Sequence, residues 1–155
     1  MISISSVASA GAASSYYTKD NYYTADAEAE ASTWAGAGVL AAGLSGQVQL
    51  DGFQALLEGR LPDGSTIGTG VDGKHAPGFD MTFSAPKSLS LLAYVGGDER
   101  LLAANMQAVK STIAWAEKNL AEARMKSEGG KVVPVKTGNL LVALFQHDTS
   151  RALDP

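Results

Sequence analysis

Two adjacent tyrosine pairs, Tyr16-Tyr17 and Tyr22-Tyr23, hold four of the chain's five tyrosines. A phenol becomes a nucleophile toward a phosphodiester when its proton is removed and the leaving oxygen is stabilised. Two pairs on one short segment offer two such nucleophiles, or stacking surfaces for unpaired bases. Taken alone, the pairs read more simply as half-buried aromatics; the residues downstream reverse that preference. His147, one of two histidines, is followed by Asp148-Thr149-Ser150-Arg151. A lone histidine is usually structural or exposed, but an imidazole at a strand end is also a rigid metal ligand when a carboxylate orients its second nitrogen. His75 lies in a Gly-rich loop before Pro77 without comparable support, and the absence of cysteine means that a closed zinc site would need carboxylates. Asp80 reads either as solvent-facing or as a base or orienting partner for a tyrosine or histidine. In Phe83-Ser84-Ala85-Pro86-Lys87-Ser88, backbone amides, Lys87 and two serines could hold a phosphate at a strand-to-helix turn.

The elements that must position these groups follow from periodicity. Ile2 and Ile4 alternate with serines, a short strand signal. The Ala- and Ser-rich run from Val7 to Thr18 reads as a helix leading into the first tyrosine pair. Trp34 to Gly46 carries four glycines and reads as irregular at its start. Asp51 to Glu58 reads as a short helix with Asp51 as N-cap and Gly59 at C′. Pro62 to Gly78 is a Gly- and Asp-rich loop. Phe79-Asp80-Met81-Thr82-Phe83 alternates with period two, setting Asp80 and Thr82 on one face of a strand. A helix then starts near Pro86 and continues through Leu89, Leu92 and Ala93 to Gly96-Gly97. Leu101, Asn105, Ala108, Thr112, Ala116, Leu120 and Ala123 recur at three- and four-residue steps, predicting a long amphipathic helix over 98–125. Lys131–Thr137 and Leu140–His147 read as a β-hairpin about Gly138-Asn139, with His147 at the end of its second strand. The fold class is α+β: an antiparallel sheet with helices over one face.

At 155 residues the chain fits one domain with a real core. Hydrophobic residues at 45% and charged residues at 18% suit a soluble globular protein. No apolar run is long enough to span a membrane and no signal-peptide pattern opens the chain, so the expected location is the cytosol. A net charge of −4 argues against a purely electrostatic nucleic-acid binder. The distribution softens this: acids cluster at Asp26, Glu28 and Glu30, whereas Lys19, Arg60, Lys74, Lys87 and Arg151 lie beside the segments that carry the chemistry.

Six segments in this order carry a resemblance: Ser14-Ser15-Tyr16-Tyr17; Asn21-Tyr22-Tyr23; Leu56-Leu57-Glu58-Gly59-Arg60-Leu61-Pro62-Asp63-Gly64; Asp80-Met81-Thr82-Phe83-Ser84-Ala85-Pro86-Lys87-Ser88; Thr137-Gly138-Asn139-Leu140; and His147-Asp148-Thr149-Ser150-Arg151. Together they resemble the N-terminal part of conjugative relaxases of the TraI/TrwC type, single-strand DNA nicking enzymes of the histidine–hydrophobe–histidine superfamily. The resemblance implies a relaxase-like palm, an antiparallel sheet with flanking helices, incomplete at its C-terminus. It makes residues 1–155 the N-terminal portion of a single relaxase domain, ending before the paired histidines that complete the family's metal site.

Carried onto this sequence, the resemblance implies Tyr16 as the nucleophile that cuts the transfer strand and joins its 5′ phosphate. Tyr22 would act in a second strand transfer, and Tyr17 and Tyr23 would support them or contact DNA. Asp80 would orient a metal-binding histidine or help activate the tyrosine. His147 would be one of three histidines on a divalent cation, Mg²⁺ or Mn²⁺, that polarises the scissile phosphate. Lys19, Arg60, Lys87 and Arg151 would contact DNA. The expected partners are single-stranded or hairpin DNA of an origin of transfer and accessory relaxosome proteins, without membrane insertion. The expected setting is the bacterial cytoplasm, with passage of the parent protein into the recipient cell. The alternative is a catalytically inactive fragment that only binds single-stranded or hairpin DNA.

Overall fold

The computed structural model describes residues 1–11, 13, 32–67 and 76–146. The alternating Ile2 and Ile4 do form a strand, β1 (Ile2–Ser6), and it pairs antiparallel with β3 (Phe79–Phe83). Ile4 faces Met81 and Ser5 faces Asp80 across the ladder. The ladder is closed at both ends, by Ser84 N donating to Met1 O at 2.9 Å and Val7 N donating to Gly78 O at 3.0 Å. The chain turns helical at Ala10 rather than at Val7, with Ala13 N donating to Ser9 O at 3.1 Å; residues 14–18 of the expected helix lie outside the described residues.

β2 (Ser32–Ala35) occupies a stretch whose glycines suggested irregular chain. It buries Ser32 and Trp34 alternately with half-buried Thr33 and Ala35, so the period-two signal is present but only four residues long. Its partner is β6 (Val142–Phe145), with Ser32 opposite Phe145 and Ala35 opposite Val142. Between them in sequence come α1 (Gly38–Ala41) and α2 (Leu50–Leu57). Helix α2 starts one position earlier than expected: extended Gln49 takes the N-cap place and Asp51 sits in the first turn without capping. Gly59, at φ 84°, ends it as expected.

α3 (Lys87–Ser90) passes directly into a π-helical turn, Leu91–Val95. The long helix α4 (Glu99–Leu120) is capped by Asp98, whose carboxylate accepts from Arg100 N. The predicted helix over 98–125 is too long. Ala121 is extended and 5% exposed, and β4 (Glu122–Lys126) follows it. Glu-Ala-Arg-Met-Lys are all tolerable helix formers, so local propensity holds no stop signal; pairing with β5 (Val132–Lys136) overrides it, with Glu122 opposite Lys136. The predicted hairpin about Gly138-Asn139 is also corrected. The turn lies between Ser127 and Lys131, closed by Ser127 N donating to Lys131 O at 2.8 Å, so β5 pairs with β4, and β6 with β2.

The described residues thus form three two-stranded antiparallel ladders with helices, an α+β architecture as expected. The core is Trp34, Val39, Val48, Phe53 and Leu57, against which Ala10, Ala13, Leu141, Ala143 and Phe145 pack. Phe53 meets Phe145 edge to face at 5.4 Å between ring centres.

Candidate catalytic region

Tyr16, Tyr17, Tyr22, Tyr23, Lys19, His147 and Arg151 lie outside the described residues, so the structure fixes their surroundings only through the strands that lead to and from them. Those strands are informative. The helical turn at Ala10 and Ala13, just before the first tyrosine pair, rests on the same core as Phe145. The chain returns from the tyrosine segment into β2, whose first residue, Ser32, stands opposite Phe145. Phe145 in turn is two residues before His147. The described residues on both sides of the tyrosine segment therefore meet one core and its strand β6, which His147 follows in sequence.

Asp80 is exposed on β3, opposite Ser5, and alternation sets it with Thr82 on the face away from Phe79 and Met81. Its strand partner β1 is the one that feeds the tyrosine segment. Lys87, also exposed, opens α3. One amide of the expected phosphate cradle is already used, and the two amides that follow the cradle close the first turn of α3. Ser84 N donates to Met1 O at 2.9 Å, and Leu89 N and Ser90 N both donate to Pro86 O, at 2.9 and 3.2 Å.

Arg60 is exposed, and its guanidinium donates to the Glu58 carboxylate. That carboxyl is held below the ordinary glutamate range, first by the hydrogen bond from Gln54 and then by Arg60. The Leu56–Gly64 motif proves to be a self-contained turn: Leu61 N donates to Ser65 O at 2.8 Å, and Asp63 accepts from both Ser65 N and Ser65 Oγ, at 2.8 and 2.6 Å. Those bonds also lower the Asp63 pKa. Arg60 can still meet a phosphate, but it would do so by sharing or leaving Glu58.

Sequence reasoning missed Glu117. From α4 its Oε1 accepts two backbone amides, Ala37 N at 2.7 Å and Leu140 N at 2.8 Å. Gly38 N donates to Leu140 O at 3.0 Å in the same junction. A Cβ on Gly36 would overlap the Leu140 carbonyl oxygen, and one on Gly38 would overlap Asn139 Oδ1. The Thr137-Gly138-Asn139-Leu140 motif, recognised in the sequence without a role, is thus the surface onto which Gly36-Ala37-Gly38 packs. Two glycines flanking one residue were the available signal.

Among the described residues no three His, Cys, Asp or Glu side chains converge as metal ligands, and no helix is long and apolar enough to cross a membrane.

Comparison with known proteins adds what these strands alone do not carry. The family model described as TrwC relaxase matches residues 10–155. The multifunctional conjugation protein TraI of Escherichia coli is 51% identical over 158 aligned residues, which take in all of this chain and 9% of TraI. A metal-bound structure of the conjugative relaxase TrwC in complex with OriT DNA superposes with a TM-score of 0.82 at 41% identity, covering 100% of this chain and 53% of that one. TrwC complexed with a 27-mer DNA comprising the recognition hairpin and the cleavage site matches with a TM-score of 0.81 at 39% identity, over 100% of this chain and 52% of that one. The chain spans about a tenth of its curated relative and about half of the solved relaxases. On a match that runs from residue 10 to residue 155, this chain belongs to the TrwC relaxase family.

Proposed function

We propose that this chain is the N-terminal portion of a relaxase domain that nicks single-stranded DNA, site- and strand-specifically, at a plasmid origin of transfer. The observation that carries the reading is the double tyrosine segment, which lies in sequence between β1, the partner of the strand bearing Asp80, and β2, the partner of the strand preceding His147, in a chain of the TrwC relaxase family. In the proposed reaction the Tyr16 phenolate attacks the scissile phosphorus. The new bond is Tyr16 Oη–P, the bond broken is P–O3′, and the phenol's proton leaves to solvent or base while the 3′ oxygen departs as a hydroxyl. The energy of the phosphodiester is kept in the 5′-phosphotyrosine, so a later 3′ hydroxyl can reverse the step and rejoin the strand. Tyr22 serves the second transfer; Tyr17 and Tyr23 support the nucleophiles or stack on bases. Asp80 orients the metal histidine or takes the phenol proton. Lys19, Arg60, Lys87 and Arg151 neutralise phosphates.

A divalent ion, Mg²⁺ or Mn²⁺, held through His147 belongs to the same proposal, by analogy with TrwC, whose structure with DNA exists in a metal-bound form. The described residues contain no ligand cluster that would hold it unaided. Hairpin DNA of the origin and accessory relaxosome proteins are the proposed partners, in the bacterial cytoplasm, with the parent protein passing to the recipient cell with the DNA.

The test is Tyr16→Phe in the intact relaxase. Covalent attachment to an origin oligonucleotide should vanish while hairpin binding stays within about twofold, because one phenolic oxygen is a small part of an interface dominated by phosphate contacts. Undiminished adduct in that variant would remove Tyr16 from its role.

A further inference from the structure

The Glu117 junction sits in a telling place. The β2–β6 ladder runs from Ala35 opposite Val142 to Ser32 opposite Phe145. Immediately beyond its Ala35–Val142 end lie Ala37 and Leu140, the two residues whose amides converge on Glu117 Oε1. In sequence, the tyrosine segment precedes its other end on the β2 side and His147 follows that end on the β6 side. A slip of one residue between these strands would shift the two sides by about 3.3 Å and turn every side chain of one strand to the opposite face.

Burial of Trp34, with Ala143 and Phe145 packed on the same core, fixes the register of these four-residue strands from one face. The junction fixes it from the end of the ladder. Gly36 and Gly38 press against Asn139 and Leu140 so closely that no side chain fits between them. The carboxylate of a third element, α4, holds the amide on each side at 2.7 and 2.8 Å. Helix α4 also anchors the chain just before the junction, where Thr137 N donates to Ala121 O at 3.0 Å. A carboxylate oxygen accepting two backbone amides is a charge-assisted clamp, stronger than a neutral pair.

We infer that Glu117 is a positioning residue of the nicking reaction: by clamping the Ala37 and Leu140 amides it locks the β2–β6 register and so sets the strand that precedes His147 against the strand that follows the tyrosine segment. The inference rests on the relaxase reading above. Glu117 touches no DNA in this account, and its effect on the reaction passes through the two strands.

The experiment compares Glu117→Ala, Glu117→Gln, Ala37→Pro and Asp98→Ala in the intact relaxase. It reads single-turnover adduct formation at saturating origin oligonucleotide, hairpin affinity, and amide hydrogen exchange at Leu140. Glu117→Ala should slow adduct formation about tenfold or more, since misplacement of reacting groups by an ångström costs up to a hundredfold. Hairpin affinity should hold, and Leu140 exchange should accelerate. Glu117→Gln keeps an acceptor oxygen and should restore most of the rate. Ala37→Pro removes one donor at a φ of −66°, which proline accepts, and should slow the reaction as Glu117→Ala does, covering the case in which that variant folds poorly. Asp98→Ala weakens the far end of the same helix and should leave the rate near wild type. Wild-type cutting by folded Glu117→Ala or Ala37→Pro, or an equal loss in Asp98→Ala, would overturn the positioning role. Absence of any adduct from the wild-type protein would instead overturn the relaxase reading, and this role with it.

Discussion

Gly36 and Gly43 both have positive φ, 96° and 70°, yet they answer to different constraints. Around Gly43 there is open space, so an alanine there meets only backbone strain, about 1 kcal/mol. At Gly36 the same methyl would also strike the Leu140 carbonyl. Gly36→Ala should therefore lose about 2 kcal/mol or more, and equal losses at the two sites in urea melts would contradict the close approach. Ser32 makes the opposite case. Its hydroxyl is buried without a hydrogen-bond partner among the described residues, so Ser32→Ala should be neutral or stabilising by up to about 1 kcal/mol. A loss larger than that in the same melts would show that the hydroxyl has a partner. At this scale the sequence was legible at Asp80, which lies on the alternating strand expected for it, whereas the paired tyrosines and His147 lie outside the described residues. Glu117 was not legible, because a glutamate on an amphipathic helix resembles any solvent-facing one until the glycines opposite it are placed.

Helix α4 shows why element boundaries were less readable than their existence. Its start carries a local chemical cause, Asp98 followed by Glu99: Asp98 accepts from Arg100 N at 3.2 Å and from the Arg100 guanidinium at 2.7 and 2.8 Å. Its end carries none, since the next breaker is Gly129 and the strand after Ala121 exists only because β5 returns to pair with it. The same non-local pairing made the Gly138-Asn139 hairpin a false lead: a turn-prone dipeptide was present, but it serves the Glu117 junction instead. The cap also makes a pH prediction. Hydrogen bonds from Arg100 lower the Asp98 pKa below the ordinary aspartate value. A carboxyl with a lowered folded pKa contributes stability that is fully present above its unfolded value, about 3.9, and is lost as pH falls through the lower folded value. Asp98→Asn should accordingly reduce stability near neutral pH while narrowing its gap to the parent below about pH 4. A gap in melting temperature that stays constant from pH 6 to pH 2 would contradict that linkage.

On the scale of the whole molecule, one core ties together the pieces that matter for chemistry. Phe53 from α2 meets Phe145 from β6, and Trp34 from β2 and Ala13 from the turn before the tyrosines pack into the same cluster. Phe53→Ala should cost about 3–5 kcal/mol, and because the cluster seats the described residues on both sides of the tyrosine segment, it should depress adduct formation before it unfolds the protein. Wild-type adduct yield in a folded Phe53→Ala protein would separate the core from the site. The α+β class was legible from periodicity alone, whereas the division into three short ladders was not, since which strand pairs with which depends on contacts far apart in sequence. The β1–β3 ribbon keeps Ile4 and Phe79 at 62% and 78% exposure, and its sequence alternation gave no sign of that.

The central claim is that Tyr16 becomes covalently joined to DNA. It is tested most directly by incubating the intact relaxase with a single-stranded origin oligonucleotide and Mg²⁺ or Mn²⁺, and then mapping the adduct by peptide mass. The account predicts a nucleotide-bearing peptide with the modification on Tyr16. DNA retained without any covalent peptide, or an adduct only on a residue other than Tyr16, would contradict it.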